Sequence, residues 1–459
     1  MTMQIKNRTD LVANAETPLL RKARKLALES LENGLNAVDA KKLIKTKITL
    51  ENSNLHAGIY TFNLDKFRNI YIVGGGKASG AMVEAIEEIF GNRITAGVVN
   101  VPYGDKHKAN IIKLHGARHP VPDEAGAAGT RQMMVIIQQA GKDDLVVCLL
   151  SGGGSSLMPL PRDGVSLADK QALTDVLLKS GAKIDEINSI RKHVSVFKGG
   201  WLAKEAYPAT VLNLILSDVV GDQLEFIASG PTVADSSTFA DARNILEKYG
   251  LWKTAPASVC KVISAGEKGL IAETPKKGNT AFEKVYNVVL GNSRTAAESA
   301  CQFLNSKGLN TLLLTATMEG EARHVGTVLA SVANEIVASD NPVAIPAAVI
   351  VSGESTVTVV GKGLGGRNQE IALSAALKLG HDDGVAIASL STDGVDGPTN
   401  AAGAIVDCKT LNRAERLGLE ASVFLVENDS YNFFFQLGDL IVTGPTGTNV
   451  TDLSVIIVL

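Results

Sequence analysis

Cysteine is scarce in this chain of 459 residues: Cys148, Cys260, Cys301 and Cys408 are all there is, and no two lie close in sequence. That spacing excludes the paired ligands of a structural zinc site and supplies no disulfide framework, so a reducing compartment is expected. Long hydrophobic runs are missing as well. No apolar stretch approaches the roughly 18 residues of a membrane-spanning helix, and the opening "MTMQIKNRTDLVANAETPLL" lacks the apolar core of a signal peptide. A cytoplasmic location with no membrane partner is the expectation. Neither sign of charge dominates: 45 Lys and Arg against 48 Asp and Glu leave a net charge of -3. Nucleic acid is therefore not an expected partner. Repeats of fixed period and low-complexity tracts are also absent.

Present instead is a recurring unit: a short β-branched run, a loop of Gly and small polar residues, then a helical pattern. "NIYIV" leads to "GGGKASG", "DDLVVCLL" to "SGGGSS", "TVLNLIL" to "SDVVGD", "EKVYNVVL" to "GNSRTAA", and "GVAIASL" to "STDGVDG". Apolar strands that do not alternate, separated by helices, predict a parallel sheet covered on both faces. Ligands of such sheets sit beyond the carboxyl ends of the strands, where the Gly-rich loops fall. "TVTVV" differs, because Thr356, Thr358 and Val360 alternate with Val357 and Val359; it predicts an antiparallel or edge strand in a mixed sheet. The basic stretch from Arg21 to Lys47 interleaves its charges with Leu and Ala, which predicts a solvated helix face. At this length two domains are expected. The first is placed at 1–242, a helical and polar connecting region at 243–284, and the second at 285–459.

The loop at Gly74, Gly75 and Gly76 matches neither common phosphate motif. The third glycine of a G-x-G-x-x-G is Ser79, and Gly76-Lys77 is followed by Ala78 where a P-loop needs Ser or Thr. Bare amides, a helix start and the Lys77 ammonium still suit an anion, most readily a phosphate; a tight strand-to-helix turn is the alternative. A second such loop, Gly152, Gly153 and Gly154 with Ser151, Ser155 and Ser156 around it, favours a site for several anionic groups. Two carboxylate pairs follow strands: Asp218 with Asp222, and Asp393 with Asp396. Each suits a Mg²⁺ ligand beside phosphate, or a loop cap that bonds backbone amides. Among the cations, Arg191, Lys192, His193 and Lys198 cluster before a Gly-Gly pair, and Arg367 follows Gly365-Gly366. Arg in a bare loop suits a carboxylate or phosphate through two parallel hydrogen bonds, with a structural salt bridge as the alternative. His119 sits in a turn before Pro120 and reads first as a loop-packing residue.

Taken in order, "VGGGKASGAM", "HPVPDEAG", "LLSGGGSSLMPLP", "INSIRKHVSVFKGG", "SDVVGDQLEFIASGPTVAD", "EGEARHVG", "GKGLGGRNQEIAL", "STDGVDGPTNAAGAIVD" and "NDSYNFFFQLGDLIVTGPTGTNVTDL" resemble the glycerate 2-kinase family, whose C-terminal region is called MOFRL. The motifs run from about residue 70 to the end. The resemblance implies two α/β domains enclosing a cleft, the larger N-terminal one Rossmann-like and the smaller with a mixed sheet. It implies transfer of phosphate from ATP, with Mg²⁺, to D-glycerate, giving 2-phosphoglycerate. The two residues regarded as catalytic in the family fall on Lys77 and Arg367. With this reading Arg191, Ser151 and Gly152 become substrate-binding candidates. Gly74, Gly75, Gly76, Gly153, Gly154, Ser155 and Glu354 become nucleotide- and phosphate-binding candidates. Asp218 is a candidate proton acceptor or metal ligand, and Asp393 a candidate metal ligand. One departure stands out: the family usually reads Ser-Gly-Gly-Glu where this chain has Ser352-Gly353-Glu354. The rival enzyme reading is hydroxypyruvate reduction with NAD(P)H, a label some relatives carry. A homodimer is left open.

Overall fold

The computed structural model describes residues 3–459. Its described residues form two compact units, and only one of them is a continuous stretch. One comprises residues 40–290; the other joins the residues up to Asp39 to 291–459. These divisions differ from 1–242, 243–284 and 285–459, for reasons visible in each unit.

The unit at 40–290 begins with an antiparallel meander of β1 (Ile48–Glu51), β2 (Asn54–Ala57) and β3 (Tyr60–Asn63). Its main sheet contains β4 (Asn69–Gly75), β5 (Ala96–Pro102), β6 (Ile112–Ala117), β7 (Asp144–Leu150), β8 (Thr210–Leu216) and β9 (Val285–Gly291). Their spatial order is β6-β5-β4-β7-β8-β9, and β4 pairs in parallel with both β5 and β7. Every residue of β7, "DLVVCLL", is buried, as an apolar run covered on both faces must be. β9 lies at the edge of this sheet, so "EKVYNVVL" belongs here and not with the residues that follow it. Nor is 243–284 a connector. Helices Phe239–Lys248 and Ala257–Glu267 bury Phe239, Leu246, Val259 and Ile263 in one core with Leu173, Leu177 and Ile190.

The other unit is built on β10 (Asn310–Met318), β11 (Ala347–Gly353), β12 (Val385–Ser391), β13 (Gly403–Asp407), β14 (Leu440–Ile441) and β15 (Asp452–Val458), ordered β10-β11-β15-β12-β13-β14. β10 and β11 are parallel, whereas β15 runs antiparallel to both β11 and β12, so the sheet is mixed. "TVTVV" is not one of its strands; a single bridge from Thr356 to Glu321 is all it forms. Side chains take the donors a ladder would need. The Glu321 carboxylate accepts from Thr358 N, and Asn428 Oδ1 accepts from both Val360 N and Gly361 N, at 2.9 Å each.

Helix Pro18–Ala37 joins this unit although it lies near the N-terminus. Thr17 Oγ1 caps it by accepting from Leu20 N at 3.1 Å, and Pro18 stands at its first turn. It packs on β12, β15 and helix Ser293–Ser306. Its basic residues are not all solvated. Arg24 is fully buried, donating from Nε to Asp407 Oδ2 at 2.6 Å and from Nη1 to Asp439 Oδ1 at 2.7 Å. Burial opposes the charge, but Asp439 and Asp407 outweigh it and raise the Arg24 pKa above its ordinary value. One buried cation here has two carboxylates waiting for it, which periodicity alone does not reveal.

Candidate active site

In the sheet of the 40–290 unit the chain runs from β4 outward through β5 to β6, then returns to β7 on the other side of β4. The direction of winding therefore reverses between β4 and β7, the place where open α/β sheets bind ligands. Gly74 pairs with Leu149 and Gly75 with Leu150, so the two Gly-rich loops leave neighbouring strand ends side by side.

The loops are tied together. Lys77 N donates to Gly152 O at 2.8 Å, and Ala78 N donates to Ser151 Oγ at 3.1 Å. Ser79 Oγ lies 3.3 Å from the same Ser151 hydroxyl. The glycines make this closeness possible. At Gly74, with φ +142°, a Cβ would stand 2.1 Å from Leu149 O; at Gly76, with φ +156°, it would stand 2.1 Å from Ser151 Oγ. Gly74 and Gly75 are thus part of β4, and their lack of side chains serves strand and loop packing. Ser151, buried, is a tether between loops. Gly153 has its own neighbours: a Cβ there would meet the His119 imidazole at 2.8 Å and Lys77 Cγ at 3.4 Å. Gly153, His119 and Lys77 converge.

Beside them is a cavity of about 210 Å³ whose lining includes His119, Gly153, Ser155, Lys170, Arg191 and Lys198. Lys198 is 1% exposed and donates from Nζ to Ser155 O at 2.8 Å; Lys170 is 4% exposed and donates to Pro159 O at 3.3 Å. Among the described residues no carboxylate pairs with Lys170, Arg191 or Lys198. Burial first, and then Arg191, pushes Lys170 down to about 7. Burial, with Lys170 and Arg191 close by, holds Lys198 well below the ordinary lysine range. Burial also lowers Arg191.

The neighbours of Arg191 on helix Ile184–His193 have other duties. Lys192 Nζ lies 3.2 Å from both Glu225 Oε2 and Asp235 Oδ1, and His193 Nε2 is 2.8 Å from Glu273 Oε1. Of that basic cluster, Arg191 and Lys198 line the cavity while Lys192 and His193 hold carboxylates. Sequence reading did not single out Lys170, because a lysine in "SLADKQALTDVLLK" looks like one on any solvated helix. Asp218, half-buried, lies just past the end of β8.

Arg367, Glu354 and Asp393 belong to the other unit. Arg367 opens helix Arg367–Lys378, donating from Nη1 to Glu354 Oε1 at 2.6 Å and from Nη2 to Asp452 Oδ1 at 2.9 Å. Burial opposes its charge, but Asp452 and Glu354 raise its pKa above the ordinary value. Asp452, wholly buried, is pushed up to about 7 by burial, against the pull of Arg367. Asp396 accepts from Asn368 N at 3.1 Å and from Gln369 N at 2.9 Å, so it caps this helix. Asp393 Oδ1 accepts from Ser391 Oγ and Val395 N, a loop-capping pattern. Among the described residues no group of three or more His, Cys, Asp or Glu side chains is arranged to hold a metal ion.

Two family models match this chain: a domain of unknown function, DUF4147, over residues 26–264, and the MOFRL family over residues 347–452. A D-glycerate 2-kinase from Thermotoga maritima is 41% identical over 431 residues, spanning 94% of this chain and 97% of its own. The chain belongs to the glycerate 2-kinase family. A crystal structure of glycerate kinase from Thermotoga maritima superposes with a TM-score of 0.83 at 41% identity, covering 95% of this chain and 99% of its own. An Agrobacterium vitis relative bearing a hydroxypyruvate reductase name is 43% identical over 84% of this chain and 86% of its own. The two α/β units, one sheet parallel around β4 and the other mixed, are the architecture expected of the family.

Proposed function

We propose that this chain is a glycerate 2-kinase that transfers the γ-phosphoryl group of ATP to the C2 hydroxyl of D-glycerate. The observation that carries the reading is the pair of tethered loops at the β4–β7 reversal, which sets Lys77 beside a cavity lined by cations. Phosphoryl transfer asks a protein for positioning and charge neutralisation more than for covalent chemistry. The C2 oxygen bonds to the γ-phosphorus, the bond from that phosphorus to ADP breaks, and the hydroxyl proton leaves to a base.

In this scheme Lys77 offsets the charge of the transferring group, and Arg191 grips the glycerate carboxylate. Asp218 is the proposed proton acceptor. Arg367, with its charge countered by Glu354 and Asp452, is proposed to be required for turnover. Mg²⁺ usually binds through one or two carboxylates plus phosphate and water oxygens. The lack of a three-carboxylate cluster among the described residues fits a metal that arrives with the nucleotide, and Asp218 or Asp393 would supply the protein oxygen. When bound, the ion would neutralise phosphate charge.

Reduction of hydroxypyruvate with NAD(P)H is the second reading, and the relative that bears that name keeps it in view. Against it stands Ser79 in place of the third fingerprint glycine. Asn100, near the end of β5, gives its amide to Gly126 O and Leu157 O at 2.9 and 2.7 Å, where a dinucleotide site would want an acid for the ribose. An assay coupled to ADP release, run with ATP, Mg²⁺ and D-glycerate beside an NADH assay with hydroxypyruvate, separates the two. The kinase reading predicts activity in the first only. Lys77→Ala should lower kcat by about 10²–10³-fold in a folded protein; near-normal kinetics would remove Lys77 from the chemistry.

A further inference from the structure

We propose that the cavity walled by Lys170, Arg191 and Lys198 seats the carboxylate of the hydroxy-acid substrate, and that Lys170 and Lys198 determine specificity for it. The inference rests on the kinase reading and adds two residues to it. A buried charge is normally paired, because removal from water is costly. Here two lysines are almost wholly buried beside an arginine, and none of the three has a carboxylate partner among the described residues. Each ammonium carries three donors yet bonds a single carbonyl, Ser155 O or Pro159 O. Donors remain for an acceptor-only group such as a carboxylate.

The volume of about 210 Å³ has room for a small acid. Place matters too, since Gly153 and His119 line the cavity and Gly153 stands against Lys77. An acid anchored there would hold its hydroxyl near the loops assigned above to phosphate. The ionisable groups facing the cavity are Lys170, Arg191, Lys198 and His119, with no acid among them. An anion entering it would favour the protonated lysines.

The test compares Lys198→Met and Lys170→Met with the wild type. The expected result is a rise of tenfold or more in KM for D-glycerate and less than twofold in KM for ATP. Below pH 7, where Lys170 is a buried cation without a carboxylate, the melting temperature of Lys170→Met should hold or rise. Lys170→Arg, which places a cation at the same position, should restore most of the affinity that Lys170→Met loses. An unchanged KM for D-glycerate, or equal rises in both KM values, would overturn the proposal.

Calorimetric titration of nucleotide-free protein with D-glycerate keeps this outcome apart from the fate of the kinase reading. Binding by the wild type that is lost in Lys170→Met supports the cavity even if no phosphate is transferred. Near pH 8 that binding should draw protons from the buffer, a signature that a merely structural lysine would not produce. No binding, or equal binding by wild type and variant, would sink it.

Discussion

Lys170 illustrates how a residue chosen for binding weighs on stability. Its pKa is about 7 in the folded chain, against an ordinary 10.5. Between those values the unfolded chain binds the extra proton, so folding stability rises with pH from 7 to 10.5 and the burial penalty is complete below 7. Lys170→Met should flatten that rise, as read by urea unfolding at pH 7 and pH 10. A slope unchanged by the substitution would mean that Lys170 is ordinarily solvated. Gly76 makes a different point. Its missing side chain is plain in the sequence, but sequence cannot say which neighbour occupies the space. Here it is Ser151, and the phosphate reading of Gly74, Gly75 and Gly76 becomes a proposal about loops that the glycines allow to meet. Arg191 and Lys192 are likewise adjacent in sequence and about 100° apart around their helix, so one lines the cavity and the other binds Asp235.

Among the elements, the apolar runs after which the glycine loops occur were readable as strands because they are short, β-branched and buried on both faces. β7 and β8 are clear cases. "TVTVV" was not, since alternation describes its side chains and not the destination of its amides, which Glu321 and Asn428 take. Helix Pro18–Ala37 hid its most consequential residue in the same way: the spacing of Arg24 is that of any polar helix position. Arg24→Met would leave Asp407 buried without its cation and Asp439 with Arg413 alone. Loss of one partner from such a group costs about 3–5 kcal/mol. Chemical denaturation should show a loss of that size in the unit that contains the mixed sheet. A loss below about 1 kcal/mol, the scale of an exposed pair, would show that the network is solvated.

For the whole molecule, fold class was legible and domain limits were not. A sheet edge can recruit a strand from beyond a polar loop, as β9 does after "AETPKKGNT", and an N-terminal helix can complete a unit whose strands come last. Neither event leaves a mark on composition. The candidate site was partly legible as a place: Lys77, the second glycine loop and Arg191 come together in one unit, whereas Lys170 and Lys198 stand out only through the cavity they share. The central claim is transfer of phosphate to the C2 oxygen of D-glycerate, and phosphorus NMR of the reaction with ATP and Mg²⁺ tests it most directly. A new resonance split by the single proton on C2 is the predicted result. A resonance split by the two protons of C3, or no new phosphoester beside active hydroxypyruvate reduction, would contradict it.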